Sequence, residues 1–327
     1  MASESGVFPW IYEERVAVDR VLLPVTLQGG DCDRLEPRHL NVREDGEPVV
    51  RVTAIERRPR PAIHALLIDV SDSMKRHDAL QHAIDAAKSY VRGLRDGERV
   101  MILAFDEQLH LRVPLTAAPD ERALQRIESR ITHLEPGERT SLRDAVFSVL
   151  YYLSGLDERK AIVVLTDGVD VSSRIRSQTF IERVSDLLEH DVAVFPVALN
   201  VQPRTRTSRQ LQELASLTGG AYFALTDEAG RPASDSLLPT FELIRELLHD
   251  QVVVEYDAFD ASEDRAESER ERVPASPSPT RRRLEVSISD QGIDCRVLHA
   301  ASHRSVRTAD DEQTPPDPVT WPPSLDP

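Results

Sequence analysis

The sequence contains few cysteines and no long apolar run. Only two cysteines occur, Cys32 and Cys295. They are far apart and outside the spacing of metal sites, so neither a disulfide framework nor a zinc site is expected. No run approaches the roughly 18 apolar residues that a membrane-spanning helix requires, and residues 1–10 lack the basic and apolar regions of a secretory signal. The chain as written is therefore expected to be cytoplasmic, or extracytoplasmic if its start is truncated.

Basic residues are scarce relative to acidic ones. The 327 residues include 40 Lys and Arg against 56 Asp and Glu, which gives a formal net charge of −16. Nucleic-acid binding and docking on an anionic membrane both require a basic face, so we expect neither a nucleic-acid partner nor membrane insertion. The length allows one large domain or two modest ones, each with a core.

The central part of the chain, residues 61–250, alternates between apolar runs and amphipathic helices. This alternation is typical of a parallel sheet covered by helices on both faces. Strands are predicted at 62–68, 100–105, 109–115, 161–165, 192–199 and 221–225, and helices at 78–94, 120–134, 142–153, 179–189, 209–217 and 237–249. The link between the second and third strands is too short to cross the sheet, so the third should be an antiparallel edge strand. The predicted fold class is a doubly wound, mostly parallel α/β sheet with one antiparallel edge strand.

Two β-rich segments, 16–60 and 251–300, bracket this central domain. Because each is too small to bury an adequate core alone, we predict that they pair into one small β-rich domain into which the central domain is inserted. Each segment contains one cysteine, so a disulfide between them is conceivable, and the sequence leaves this open. Residues 1–15 are an N-terminal extension, while 260–282 and 301–327 are charged and rich in Pro or Ser, which predicts a disordered loop and tail.

One short stretch at the end of the first central strand carries candidate chemistry. Asp69-Val70-Ser71-Asp72-Ser73 has the form D-x-S-x-S, with one carboxylate and two hydroxyls at alternate positions. Such hard oxygen ligands suit Mg²⁺ or Mn²⁺ and not a metal that prefers thiolates. Alone the motif is weak evidence, because Asp and Ser are also common in turns and at helix starts.

Two further oxygen-bearing residues strengthen the prediction of a metal site. Thr140 lies on a loop that opens a helix, and Asp167 follows a strand predicted to neighbour the one that ends at Asp69. Ligands of open parallel sheets bind outside the carboxyl ends of the strands. Two carboxylates would neutralise a divalent ion, three hydroxyls would fill further positions, and one position would remain for a ligand from outside.

Three motifs together resemble the metal-ion-dependent adhesion site of von Willebrand factor type A domains. They are the D-x-S-x-S stretch, residues 137–145 (GERTSLRDA) and residues 166–168 (TDG). The resemblance covers residues 61–250, and the flanking segments are similar to those of a bacterial subfamily in which β segments bracket the type A domain. It implies a binding module that recognises an acidic group on a protein partner through the bound cation.

The resemblance also assigns roles to individual residues. It implies that Ser71 and Ser73 ligate Mg²⁺ or Mn²⁺ directly, that Thr140 does so directly or through water, and that Asp69 and Asp167 hold coordinated waters. Asp72 replaces a glycine common at that place in the family, and its charge, if aimed inward, should tighten cation binding. Asp144 matches a family position and is interpreted as supporting or structural.

The loops that follow the central strands are basic, although the chain is acidic. The residues concerned are Lys75, Arg76, Arg139, Arg174, Arg176, Arg204 and Arg206. We expect them to form a basic rim around the metal that steers acidic partners toward it. The alternative, that arginine is simply abundant and most of these side chains point to solvent, stays open.

A metal-dependent phosphohydrolase is the alternative function. A phosphatase of the haloacid dehalogenase type needs a second Asp two residues after its nucleophile, where this chain has Ser71. No lysine is placed as a phosphate clamp, and no G-x-S-x-G sequence is present. We therefore expect no enzyme activity and assign no catalytic residue. The identity of the partner and the oligomeric state cannot be read from the sequence.

Overall fold

The structure is a computed structural model that describes residues 18–49, 51–57, 61–118, 120–156, 158–167, 170–187, 192–199, 201, 204–225, 233–249, 251–259, 281–290, 292–299 and 302–304. Its strands in chain order are β1 (Val18–Gln28), β2 (Leu40–Glu44), β3 (Glu47–Pro48), β4 (Arg51–Glu56), β5 (Ala62–Asp69), β6 (Arg99–Phe105), β7 (Leu109–Ala117), β8 (Arg159–Thr166), β9 (Val192–Leu199), β10 (Phe223–Leu225), β11 (Gln251–Phe259), β12 (Arg281–Ile288), β13 (Arg296–His299) and β14 (Ser302–Arg304). Its α-helices are α1 (Ala79–Arg92), α2 (Glu121–Thr132), α3 (Leu142–Ser154), α4 (Ser177–Ser185), α5 (Arg206–Thr218) and α6 (Leu237–His249). In these described ranges no helix has the length and apolar character needed to cross a membrane.

The central sheet contains β5 to β10 in the order β10-β9-β8-β5-β6-β7. Neighbouring strands are parallel except β6 and β7, which are antiparallel. The link between these two strands, residues 106–108, is too short for a crossover connection. The structure therefore confirms the predicted fold class, a doubly wound, mostly parallel α/β sheet with one antiparallel edge strand.

Helices cover both faces of this sheet, as the side chains of β5 illustrate. Leu66 and Ile68 pack in one apolar cluster with α1, α2 and α6. Ala65 and Leu67 pack in the opposite cluster with α3, α4 and α5. Every residue of β5 is buried, which explains why residues 65–68 of this strand form an apolar run and not an alternating one.

Strand β8 begins earlier than its apolar pattern predicts, at Arg159 and not at residue 161. Arg159 and Lys160 are buried despite their charge, at 5% and 2% exposure. The Arg159 guanidinium donates to the carbonyl of Leu248, and the Lys160 ammonium donates to that of Leu156. Because charged residues are rarely buried without such partners, sequence periodicity alone does not place these two residues in a strand.

Helix and loop boundaries differ from the predictions in smaller ways. Helix α4 covers Ser177–Ser185 and not 179–189, and residues 188 and 189 lie outside the described residues. Residues Asp72–Asp78, which include the last two residues of the D-x-S-x-S stretch, form a 3₁₀ helix that the sequence did not predict. This tight turn packs the stretch against α1.

The strands outside the central sheet form two four-stranded sheets, each with strands from both flanking segments. One has the order β13-β1-β11-β4 and the other β14-β12-β2-β3. Strand β1 pairs along its length with β11, and β2 pairs with β12. A disulfide joins Cys32 to Cys295, with an S–S distance of 2.11 Å. The pairing of the cysteines, which the sequence left open, thus connects the two segments covalently.

Two of the predicted irregular segments contain β structure at their ends. The predicted disordered loop 260–282 overlaps β12, and the predicted tail 301–327 contains β14. Both corrections have one cause, since Arg281–Arg283 pair antiparallel with Ser302–Arg304. The predicted extension 1–15, and the remainder of that loop and tail, lie outside the described residues.

Candidate functional site

The candidate site lies at the carboxyl ends of two neighbouring parallel strands. Strand β5 ends at Asp69, and β8 ends at Thr166, directly before Asp167. The strands are in register, with Ile68 opposite Leu165. The Thr166 hydroxyl donates to Asp69 Oδ2 at 2.7 Å. The two predicted carboxylates therefore emerge side by side, as the sequence argument required.

A continuous set of hydrogen bonds joins four of the five predicted metal-site residues. The Ser71 backbone N–H donates to Asp69 Oδ1 at 2.8 Å. The Oγ atoms of Ser71 and Ser73 are 3.0 Å apart. The Ser73 hydroxyl donates to Asp167 Oδ1 at 2.7 Å. Two carboxylates and two hydroxyls thus converge, although Ser73 and Asp167 are 94 residues apart in the sequence.

The fifth residue, Thr140, is held against both halves of the site by backbone hydrogen bonds. Thr140 is buried, and its carbonyl accepts the N–H groups of Val171 and Ser172 at 3.0 and 3.1 Å. On the other side, the Gly137 N–H donates to the carbonyl of Val70 at 2.6 Å. Thr140 is therefore fixed between the D-x-S-x-S stretch and the loop that follows β8.

A glycine makes this close approach possible. A Cβ added at Gly137 would lie 2.0 Å from Asp106 Oδ2. The Asp106 carbonyl also accepts the Ser141 N–H at 2.7 Å. The loop that carries Thr140 therefore packs so tightly against the end of β6 that any side chain at position 137 would displace it.

Two further carboxylates fold the loop after β8 onto α3. Asp144 accepts the backbone N–H groups of Arg174 and Ile175 at 2.8 and 2.9 Å. Asp170 accepts the Arg143 N–H at 2.7 Å and the Ser173 hydroxyl at 2.6 Å. The interpretation of Asp144 as a supporting residue fits this geometry. Asp170 and Ser173 were not singled out from the sequence, although the D-x-x-S spacing is a common pattern of local side-chain to backbone bonding.

The electrostatics of the site centre on Asp69. Burial raises the pKa of Asp69 to about 6, against the opposing effect of its bonds from Ser71 and Thr166, and the nearby charge of Asp167 adds to the rise. A buried carboxylate that resists ionisation is stabilised in its charged form by a nearby cation. The hydroxyl and carboxylate oxygens here are ligands that hard divalent cations prefer, so the residues fit such an ion.

Histidine, cysteine and additional carboxylates do not contribute to this set. Within the described ranges, no group of three His, Cys, Asp or Glu side chains could hold a metal ion. A cation at this edge of the sheet would therefore depend on Ser and Thr hydroxyls for part of its coordination.

Asp72 does not point into the site. Its side chain is 65% exposed, and its Oδ1 lies 2.6 Å from Lys75 Nζ. The condition under which Asp72 would tighten cation binding, an inward carboxylate, is therefore not met. The same contact occupies the ammonium of Lys75, one of the predicted rim residues.

The structure describes the side-chain exposure of all the other predicted rim residues except Arg76. Four exposed arginines lie on loops at this edge and a fifth begins α5: Arg139, Arg174, Arg176, Arg204 and Arg206. Arg206 also borders a cavity of about 260 Å³ between α3, α4 and α5. The side chain of Arg76 lies outside the described residues.

Comparisons with known proteins identify the fold. Residues 65–185 match the family model of the von Willebrand factor type A domain. A von Willebrand factor type A protein from Catenulispora acidiphila aligns over 93% of this chain and 77% of its own, with 14% identity and a TM-score of 0.50. No curated protein matches the chain.

Two further solved structures align with a smaller part of the chain. Proximal thread matrix protein 1 from the mussel byssus, with a zinc-occupied MIDAS motif, aligns over 59% of this chain and 49% of its own, at 18% identity and a TM-score of 0.45. The vWF domain of the type V pili tip protein Mfa5 from Porphyromonas gingivalis aligns over 58% of this chain and 95% of its own, at 11% identity and a TM-score of 0.46. The chain thus spans about half the length of the byssus protein.

Proposed function

We propose that this chain is a metal-dependent protein-binding module, because residues 65–185 match the family model of the von Willebrand factor type A domain. Its ligand is an acidic group on a protein partner, and its cation is Mg²⁺ or Mn²⁺. The proposed metal site consists of the residues gathered at the carboxyl edge of the central sheet: Asp69, Ser71, Ser73, Thr140 and Asp167.

The hydrogen-bonded path from Asp69 to Asp167 is the observation that carries this proposal. It brings two carboxylates and two hydroxyls from distant parts of the chain to one point. Asp69 is fully buried, and a buried negative charge is costly unless a positive charge compensates it. A divalent cation supplies that compensation.

Each residue has a defined task in the proposed site. Ser71 and Ser73 present hydroxyl oxygens as direct ligands, and Thr140 contributes a third hydroxyl. Asp69 and Asp167 would balance the charge of the cation and would accept hydrogen bonds from waters that it binds. A cation held by these residues would supply a Lewis-acidic position for a carboxylate of the partner.

The exposed arginines favour an acidic partner. Arg139 directly precedes Thr140, and Arg174 is tied to α3 through its own backbone N–H. Arg176 follows it on the same loop, so three exposed arginines belong to the segments that carry the two halves of the site. Exposed positive charge of this kind raises the association rate of acidic partners more than it raises affinity.

We propose binding without catalysis. Position 71, where a phosphatase of the haloacid dehalogenase type carries its second Asp, holds a serine hydroxyl that pairs with Ser73. Release of p-nitrophenol from p-nitrophenyl phosphate by the purified chain with Mg²⁺ would contradict this part of the proposal.

The metal site is tested by isothermal titration calorimetry of the full chain with MgCl₂ and MnCl₂. Ser73→Ala removes one direct ligand without burying a charge, and Asp69→Ala removes one buried carboxylate. We expect each substitution to weaken cation binding by about tenfold or more, by analogy with the loss of other groups that support metal sites.

The matched control is Ser154→Ala. Ser154 ends α3, and its hydroxyl bonds only locally, to the carbonyl of Tyr151 at 2.8 Å. Helix α3 has 13 residues, so this position is about 18 Å along the helix from the site. Equal cation affinity in Ser73→Ala, Asp69→Ala and the control would refute the proposed site. The partner is sought in a separate experiment. A protein that the immobilised chain captures with Mg²⁺ and that a chelator releases is the candidate partner.

A further inference from the structure

A buried polar cluster lies at the amino edge of the central sheet, opposite the candidate metal site. His64 is the third residue of β5, Glu98 directly precedes β6, and His249 is the last residue of α6. Glu98 Oε1 lies 3.4 Å from His64 Nε2 and 3.2 Å from His249 Nε2. One carboxylate therefore sits between two imidazoles that belong to different structural elements.

The cluster is closed to solvent and incompletely bonded. His64 is 0% exposed and Glu98 is 4% exposed, while the His249 side chain is 9% exposed. Among the described residues, neither Nε2 atom has a hydrogen-bond partner, so the two approaches to Glu98 are close without being aligned hydrogen bonds. Buried polar groups that are only partly hydrogen-bonded cost free energy, so this cluster holds its elements together less firmly than a fully bonded network would.

Other groups around the cluster fix its charge. The Tyr90 hydroxyl from α1 is 2.9 Å from His64 Nδ1, and the Arg95 N–H donates to Glu98 Oε2 at 2.7 Å. Arg159 at the start of β8 also acts on His64, and Arg245 of α6 acts on Tyr90. Among the described residues that act on His64 and Tyr90, one carboxylate stands against two guanidinium groups.

The cluster joins α6 to the central sheet at the point where the chain leaves the type A domain. Besides the Glu98 contact of His249, the Arg159 guanidinium donates to the carbonyl of Leu248. Strand β11 begins at Gln251, two residues after α6 ends, and pairs with both β1 and β4. The contacts that hold the end of α6 therefore also fix where the chain passes from the type A domain into the flanking strands.

We propose that His64, Glu98 and His249 form a pH-sensitive latch, which holds the C-terminal end of α6 on the central sheet at neutral pH and releases it in acid. In the closed form, one carboxylate faces two imidazoles with Arg159 beside them. Among the described residues that act on His64, no second carboxylate balances a further positive charge there. Release exposes His64 to water. There its imidazole can be protonated without placing an unbalanced charge in a buried site.

The direction of the pH response follows from the shift of His64. Burial is the main cause that lowers the pKa of His64 below its ordinary value of 6.5, and Arg159 and His249 lower it further, against the opposing effect of Glu98. The released form therefore binds more protons than the closed form at any pH between the lowered pKa and 6.5. Release becomes more favourable as pH falls through that range, by up to about tenfold per pH unit for each proton taken up.

Glu98 keeps its charge throughout this range. Burial alone would raise the pKa of Glu98, but the close imidazoles of His249 and His64 and the bond from the Arg95 N–H outweigh burial and hold its pKa well below the usual range. The response between neutral and mildly acidic pH therefore belongs to the His64 imidazole and not to the carboxylate.

Hydrogen–deuterium exchange of the full chain at pH 7.5 and 5.5, corrected for intrinsic exchange rates, tests the latch. A chelator is present at both values, so that metal loading does not vary. We expect amides at the C-terminal end of α6 to exchange at least about threefold faster at pH 5.5 than at 7.5 in the wild type, within the linkage limit. His64→Gln, which keeps a polar side chain but cannot be protonated, should lose this pH difference.

His133→Gln is the matched control, because His133 is exposed and bonds only to the carbonyl of Ser129 in its own helix. The control should keep the wild-type response. Equal corrected exchange at both pH values, or a full pH response in His64→Gln, would overturn the proposal. If His64→Gln does not fold, NMR titration of the wild-type histidine rings decides: a His64 ring that titrates at pH 6.5 or above contradicts the latch, and one that titrates below it supports the latch.

Discussion

At the scale of single residues, the candidate site depends on short side chains in exact positions along a backbone that leaves little room. Ser71 and Ser73 reach the same point because they alternate on a chain that has just left a strand, and Asp69 is held by a backbone N–H and a threonine hydroxyl. Asp72, between the serines, is turned outward to Lys75. One stretch thus divides its residues between the site and the solvent.

Gly137 gives a prediction at this scale. Its missing Cβ is what allows the Thr140 loop to approach Asp106. We expect Gly137→Ala to lower the free energy of unfolding by about 1–3 kcal/mol, because an added methyl group forces its neighbours apart. The displaced loop should also weaken cation binding in calorimetry.

The matched control for this substitution is Gly30→Ala. A Cβ at Gly30 meets no atom within 4 Å, and the residue has no positive φ. Chemical denaturation should show a change within about 0.5 kcal/mol for this variant, as for most surface substitutions. A Gly137→Ala chain as stable as the control would show that the loop can shift at little cost.

At the scale of elements, the two flanking segments depend on each other for their hydrogen bonds. Strand β1 lies between β11 and β13, and β2 lies between β12 and β3. The N-terminal segment alone therefore cannot supply both neighbours of β1 or both neighbours of β2. That the segments form one folding unit stays a prediction.

Truncation tests this prediction. A chain that ends after residue 280 lacks β12, β13 and β14 and the disulfide partner Cys295. We expect limited proteolysis to cut this chain within 18–56 at rates well above those of the full chain, because β2 loses its long neighbour and the apolar residues of the unit lose cover.

A chain that ends after residue 304 is the control for this experiment. It keeps every described strand and should resist cleavage within 18–56 as the full chain does. Full protection of that region in the shorter chain would mean that the N-terminal strands fold without the C-terminal ones.

At the scale of the whole molecule, charge is unevenly distributed. The net charge is −16, yet the loops at the carboxyl edge of the central sheet carry several exposed arginines. An acidic protein repels acidic partners at long range, so a local basic surface can direct them to one face. The cation at that face and the arginines around it would then attract the same ligand.

The on-rate of the partner captured with Mg²⁺ tests this distribution. Arg174→Glu combined with Arg176→Glu should lower the association rate by about three- to tenfold at low salt and leave cation affinity unchanged or tighter. The difference should shrink at about 0.15 M salt, where charges are screened beyond roughly 8 Å.

The control pair is Arg122→Glu with Arg126→Glu on α2. Both arginines are exposed, and the pair changes the net charge by the same amount. Stopped-flow or surface-based kinetics should show near wild-type association for this pair. If the two double variants slow association equally, the arginines act only through net charge and the rim has no steering role.

The sequence alone determined the fold class, the antiparallel edge strand and the neighbourhood of the candidate site. Buried strands are continuous apolar runs, a three-residue link cannot cross a sheet, and carboxyl ends of neighbouring parallel strands meet at one edge. These are local or topological constraints, so the printed order of residues was enough to apply them to Asp69, Thr140 and Asp167.

Only the tertiary structure decided which distant residues are in contact where the hydrophobic periodicity of the sequence does not predict it. Arg159 and Lys160 belong to β8 because carbonyl groups of other elements accept their charges. Cys32 meets Cys295 because β1 pairs with β13 across a separation of 263 residues. His64, Glu98 and His249 come from three elements with no shared motif. Their meeting depends on where α6 ends against the sheet, which periodicity cannot specify because it describes one element at a time.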